Sequence, residues 1–513
     1  MKKNHRIAVA VALVVAVVAY SRLHKSTGAD TTAPSSRGQY LISAHAESFR
    51  FGSLEFKACA LTQEHSAATT EAYCAPFEVM ENRADPASRR IQLRLALVAA
   101  NGAADDDFIV FLAGGPGQSA VDSWPRIAPA LAFARRHRHV LLLDQRGTGE
   151  SNPLNCAALA DGDAMPEFDP QRMAEQTRAC AEEVGMHADP RYYSTSDAVA
   201  DLEELRQALG APRFDLVGVS YGTRLAQHYT RRHTEGVRSM VLDSVVPNEL
   251  ALGGEFAINL DNALKAQFAN CAAHPACAAA FPDPYTDLMR LRDQLREAPR
   301  DVHYADPISF EAKTARLDAF GLAGLIRLFA YSPETAALIP HTVSEALAGN
   351  DAALMGQMGV IAQGVEELAG SGMQLSVVCA EDADRLVADA SVADTLLGNQ
   401  MVEMMQSQCA IWPHGERPPD FNEPARGDTP VLVLEGELDP VTPPRYGEQV
   451  VAGLEAARLI VVKGQGHNVI GRGCLPKLVS EFMDTLDPAA LDVACADELG
   501  QIPHFIDFNG AAP

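Results

Sequence analysis

The chain of 513 residues is short of positive charge. Its 42 Lys and Arg stand against 67 Asp and Glu, a formal net charge of -25. Binding a nucleic acid needs basic patches, so that class of partner is excluded. The acidic excess names no substrate, because a solvated acidic surface accounts for it. Metal-ligand spacing is lacking as well. No C-x-x-C occurs among the ten cysteines, and His274 between Cys271 and Cys277 completes no zinc pattern. Internal repeats are absent, which removes solenoids and propellers. A membrane-spanning run is wanting too: the uncharged apolar stretch 7–20 is short for a spanning helix.

That stretch has a different reading. Lys2, Lys3 and Arg6 precede it, as the n-region of a secretory signal precedes its apolar h-region. Val17-Val18-Ala19 is a passable cleavage end, and an uncleaved membrane anchor is the second reading. No cysteine follows closely, which excludes a lipoprotein. Residues 21–38 are polar and read as a tether. The chain is thus expected to be exported, periplasmic or secreted, or else anchored by residues 7–20. Ten cysteines in an exported chain imply disulfides. The simplest scheme joins neighbours: Cys59–Cys74, Cys156–Cys180, Cys271–Cys277, Cys379–Cys409 and Cys474–Cys495. Each bridge would close a local loop and contribute about 2–4 kcal/mol.

A composition of 47% hydrophobic and 21% charged residues suits a large globular enzyme. Residues 39–62 and 91–99 read as opening antiparallel strands. Residues 107–112 and 140–143 are continuous apolar runs, the mark of strands buried on both faces. Residues 152–193 read as a cysteine-bearing, mostly helical insertion. Ser196 then reads as an N-cap, with Val199, Leu202, Leu205 and Leu209 on one helical face and Gly210 and Pro212 as the stop. Further strands follow at 214–217, 238–243, 429–434 and 458–462, with a helix at 449–457. Between them, residues 250–426 have few strand-like runs and read as a helical cap insertion. The expected organisation is 1–38 leader and linker, 39–249 core, 250–426 cap and 427–513 the rest of the core. Strands alternating with helices imply an α/β fold with a mostly parallel central sheet and helices on both faces. Ligands in such sheets bind beyond the strand carboxyl ends.

Four candidate groups sit at those ends. Phe214-Asp215-Leu216-Val217 runs into Gly218-Val219-Ser220-Tyr221-Gly222, and a helix follows. Strand, G-x-S-x-G turn and helix make a nucleophile elbow, which exposes the serine hydroxyl. A serine is a weak nucleophile and needs a base, which in turn needs an orienting carboxylate. His467 follows the last strand in a glycine-framed turn, and Asp439 follows the strand before it in a proline-rich turn. Glu435, Glu437 and Asp243 are rival acids near strand ends. His228 and His233, on the elbow helix, read as surface residues. Oxyanion donors would come from the N–H of Tyr221 and from the loop after the third strand, Gly115 first and Gly114 next.

These blocks resemble the α/β-hydrolase family of proline iminopeptidases and tripeptidyl aminopeptidases. The resemblance rests on Ala113-Gly114-Gly115-Pro116-Gly117, on Asp144-Gln145-Arg146-Gly147-Thr148-Gly149-Glu150-Ser151, on Gly218 to Thr223, and on Gly436 to Pro443 with Gly466-His467. It spans most of the chain. The long helical segment before Asp439 and the extra cysteines are more similar to the exported tripeptidyl aminopeptidase branch. The family usually has histidine where Ala113 stands. The resemblance implies a serine peptidase without metal or organic cofactor, acting on peptides with a free N-terminus. It also implies that an acid in the block Val377 to Asp382 binds the α-ammonium: Glu381, with Asp382 and Asp384 as rivals. An esterase or lipase on the same fold and, less favoured, a non-catalytic binding protein are the alternatives.

Overall fold

The computed structural model describes residues 40–43, 46–62, 69–105, 107–156, 169–307, 309–365 and 372–511. The leader and the tether expected before residue 39 lie outside them. Twelve strands are described: β1 (Ser48–Phe51), β2 (Leu54–Thr62), β3 (Thr69–Met80), β4 (Arg90–Val98), β5 (Phe108–Leu112), β6 (His139–Leu143), β7 (Phe214–Val219), β8 (Val237–Asp243), β9 (Arg300–Ala305), β10 (Ala312–Leu317), β11 (Val431–Gly436) and β12 (Ala457–Val462). Ten of them form one sheet in the order β1-β2-β3-β4-β6-β5-β7-β8-β11-β12. The first four pair antiparallel, as does β4 with β6. From β6 to β12 every pairing within this sheet is parallel.

The apolar runs explain the layers. In β5, Phe108, Val110 and Leu112 enter one core, and Ile109 and Phe111 enter the other. Both faces must therefore be covered. Helices Thr195–Leu209 and Tyr221–Arg232 cover the first face with Leu202, Leu205, Leu209 and Leu225. Helices Ala120–Ile127 and Leu475–Thr485 cover the second with Val121, Trp124, Val479 and Phe482. At about 25 cal/mol per Å² of apolar surface removed from water, such sandwiching is the main favourable term in the fold.

Several details differ from the sequence reading. β3 was not expected: Pro76, two alanines and two glutamates dilute its β-propensity. It is held by pairing on both sides, with β2 and β4. The helix cap before Val199 is Ser194, not Ser196, because Ser194 and Asp197 form a reciprocal capping box. The helix after β11 is Pro444–Val451, earlier than expected, because Pro444 suits the first helical turn. Between β8 and β11 the chain is mainly helical and builds its own apolar cluster, including Leu264, Leu291, Ile326 and Val343. It also holds a hairpin, β9 with β10, whose polar sequence hid it.

All five neighbour disulfides are present. Five bridges belong to a chain that folds in an oxidising compartment. Among the described residues, no helix is long and apolar enough to cross a membrane.

Candidate functional site

β7 delivers Ser220 at its carboxyl end. Ser220 has φ 54°, a left-handed value that a non-glycine residue adopts only under constraint. The constraint is visible: its N–H donates to Asp243 O at 2.9 Å, and its carbonyl accepts from Thr223 N at 2.9 Å. The flanking glycines are required by close approach. A Cβ at Gly218 would lie 2.6 Å from Gly222 O, and one at Gly222 would lie 2.1 Å from Leu112 O. Tyr221 then opens the elbow helix, where first-turn N–H groups lack intrahelical acceptors. Its buried hydroxyl meets Thr195 Oγ1 at 2.7 Å and accepts from Gln145 Nε2 at 3.2 Å.

The loop after β5 stands opposite. An added Cβ at Gly114 would be 3.1 Å from Ser220 Cβ. Gly115, with φ 103°, lines the same cavity as Ser220. The block that begins at Asp144 braces this loop. Buried Asp144 accepts from Ser119 Oγ at 2.7 Å and Val121 N at 2.9 Å, which anchors the helix after the loop. Burial pushes the Asp144 carboxyl up to about 6. Arg146, wholly buried, grips Asp201 with Nε and Nη2, each at 2.7 Å. These residues shape the floor of the site and are not in its cavity.

Asp439 lies in the turn after β11. Its Oδ1 accepts from Val441 N and Thr442 N, both at 2.8 Å, and its Oδ2 accepts from Thr442 Oγ1 at 2.9 Å. His467 Nδ1 meets Oδ2 at 2.7 Å. Nδ1 being so engaged, Nε2 is the nitrogen left for chemistry. The rival acids have other work. Asp243 accepts from Val469 N and Ile470 N, which fixes the loop beyond His467. Burial pushes its carboxyl up to about 6. Glu435 accepts from Val245 N and Glu437 from Gly464 N. Burial first, and Asp439 second, hold the Glu435 carboxyl well above its usual range. The Tyr331 ring meets the His467 ring edge-on, with centroids 5.0 Å apart. His228 is buried against Phe421, not on the surface, and burial lowers its pKa to about 3.

Ser220, Gly115 and His467 line one cavity of about 400 Å³. Its other walls include Leu375, Val378, Met401, Met404 and Met405 from the segment between β8 and β11. Met355 and Met358 pack inside the helical cluster instead. Glu381 is where the sequence reading needs correction. It is fully buried and does not line the cavity. Its carboxylate accepts from Thr195 N at 2.7 Å and Thr195 Oγ1 at 3.0 Å, and it lies 3.6 Å from Arg224 Nη1. Asp382 accepts from the same Arg224 at 2.8 Å. Asp384 pairs with Arg417 near the surface. Through Arg224, Glu381 and Asp382 tie the end of the helix Gly372–Glu381 to the elbow helix.

A glycine-rich loop, a strained serine and a histidine–carboxylate pair stand together at parallel-strand ends. Residues 107–299 match the family described as alpha/beta hydrolase fold, and the chain has that fold. Residues 394–495 match the family described as TAP-like protein. The chain is 23% identical over 454 residues to the tripeptidyl aminopeptidase of Streptomyces coelicolor, covering 82% of this chain and 83% of that protein. It is 27% identical over 470 residues to a Mycobacterium tuberculosis protein named carboxylesterase B, covering 82% and 86%. The solved proline iminopeptidase of Mycobacterium smegmatis is 16% identical, with a TM-score of 0.35 over 81% of this chain and 100% of that one.

Proposed function

We propose that the protein is a serine peptidase that removes amino-terminal residues or short peptides, working outside the cytosol, in the periplasm or secreted. The observation that carries the proposal is the buried Asp439–His467 pair on the wall of the cavity onto which Ser220 opens. In this reading Ser220 Oγ attacks the scissile carbonyl while His467 Nε2 takes its proton. Asp439 holds the imidazole tautomer and stabilises the imidazolium. The N–H groups of Tyr221 and Gly115 receive the oxyanion, with Gly114 shaping the loop. His467 then protonates the leaving amine, and water hydrolyses the acyl-enzyme. No step calls for a metal or an organic cofactor. Residues 250–426 act as a lid that limits the length of the acyl group. The tripeptidyl aminopeptidase relative supports the peptide substrate.

A carboxylesterase is the second reading. It is favoured by the cavity: among the described residues that line it there is no Asp or Glu to receive an ammonium. An aminopeptidase built this way must hold the amine with carboxamide oxygens, for which Gln118, Gln374 and Gln408 are available. A panel of aminoacyl, prolyl and tripeptidyl amides and acyl esters, each with free and acetylated amine, decides between them. Free-amine peptides should be the better substrates. A preference for blocked amines, or turnover of esters alone, overturns the peptidase reading. A fluorophosphonate should label the wild type but not Ser220→Ala; equal labelling of both would remove Ser220 from the chemistry.

A further inference from the structure

The helix Ala319–Phe329 has the sequence AFGLAGLIRLF, with one charged residue, Arg327. Phe320, Gly324, Arg327 and Leu328 recur at helical spacing on one face, and Tyr331 follows just beyond it. That face looks into the cavity that Ser220 opens on. A charge on an otherwise apolar helix is normally turned to solvent. Here it is turned inward.

Two rings hold it there. The Arg327 guanidinium carbon lies 4.7 Å from the centroid of Phe256 and 5.4 Å from that of Tyr331. Stacking covers the faces of a guanidinium and leaves its in-plane N–H donors open. Among the described residues, no carboxylate or carbonyl accepts from these donors. The chain has 67 acids for 42 bases, so an unpaired arginine is not a shortage of partners. Among the described residues, the neighbouring lining supplies neutral polar groups, Gln118, Gln374, Gln408 and Asn468, and no carboxylate. An oriented fork of donors on an apolar wall is the arrangement that receives a carboxylate in two-point fashion.

We propose that Arg327 is a specificity-determining residue, which selects substrates carrying a carboxylate close to the scissile bond. The proposal rests on the reading of Ser220 and His467 as the reacting pair. Its direction follows from the rings. Tyr331 stacks under Arg327 and meets His467 edge-on, so the guanidinium stands on the side of the cavity where His467 releases the leaving group. The favoured source of the carboxylate is therefore the free C-terminus of a short peptide. The substrate class is then short free peptides rather than the N-termini of folded proteins. An acidic side chain in the acyl portion is the other source of the same chemistry.

The test compares wild type, Arg327→Met and Arg327→Lys on three matched pairs. These are a short peptide with free or amidated C-terminus, a peptide with Glu or Gln in the acyl portion, and a p-nitrophenyl ester with or without a terminal carboxylate. Wild type should favour one or more carboxylate members by about tenfold to a hundredfold in kcat/KM, chiefly through KM. Arg327→Met should bring that ratio near one, and Arg327→Lys should restore part of it. Thermal unfolding shows whether each variant is folded. A wild type indifferent to the carboxylate, or a ratio kept in folded Arg327→Met, overturns the proposal. Preference confined to the first pair assigns the C-terminus; preference confined to the second assigns the acyl side chain. Neutral substrates still cleaved in a Ser220-dependent way would leave the reading of the site intact. Loss of all Ser220-dependent turnover would sink that reading instead.

Discussion

Glu381→Gln separates a buried structural carboxyl from a ligand-binding one. Burial pushes the Glu381 carboxyl from 4.5 up to about 7, against the pull of Arg224 and with repulsion from Asp382. The folded-state value lies above the unfolded one. The stabilisation is therefore fully present below about pH 4.5 and is lost as pH rises through about 7. At about 1.4 kcal/mol per pH unit, that difference is worth about 3 kcal/mol. Glutamine keeps an acceptor for Thr195 N and cannot ionise. Denaturant unfolding at about pH 4.5 and about pH 8.5 should show wild type losing about 3 kcal/mol more than the variant across that window. The same pair of proteins should show matching KM ratios for free-amine and acetylated peptides. Equal pH slopes would refute the burial argument. A KM that rises for free-amine peptides alone would return Glu381 to the substrate.

Four further outcomes follow from the geometry. Asp439→Asn keeps the turn but offers His467 Nδ1 the wrong partner, so kcat should fall by about 10³–10⁴ with the fold intact; stopped turnover with normal unfolding is the readout, and near-normal kcat refutes it. Gly222→Ala places a Cβ 2.1 Å from Leu112 O and 2.8 Å from Ala113 O, both backbone, so soluble active protein should be lost. Gly185→Ala, at a helix end with nothing within 4 Å, should be neutral or stabilising by about 0.5–1 kcal/mol in the same expression and unfolding assays. Asp382→Ala removes the nearer of two carboxylates from the wholly buried Arg224 and should cost about 3–5 kcal/mol in denaturant unfolding. A cost below about 1 kcal/mol would mean that the segment between β8 and β11 is not tied to the elbow helix through this pair.

The parallel strands were legible because burial on both faces leaves a continuous apolar run, as in β5 and β6. β3 was not, since a half-exposed strand can carry Pro76 and glutamates when its neighbours supply the pairing. The order serine, aspartate, histidine at strand ends could be read from the chain. That His467 meets Asp439, while Asp243, Glu435 and Glu437 accept backbone N–H groups, depends on loop paths that no local pattern encodes. Glu381 shows the same limit from the other side. Its neighbours in sequence resemble a binding block, yet Arg224 and Thr195, far along the chain, enclose it. Arg327 left a signal that went unused: a single charge in an eleven-residue apolar helix.

The bridge Cys379–Cys409 has a consequence for the shape of the cavity. It fastens the helix Gly372–Glu381 to the helix Gln400–Cys409. The first helix gives the cavity Gln374, Leu375 and Val378; the second gives it Met401, Met404, Met405 and Gln408. Newly made chain in a reducing compartment has all the residues of the site but no lock between these two walls. Oxidation joins those walls covalently, so the width of the cavity is set by a bond as well as by packing.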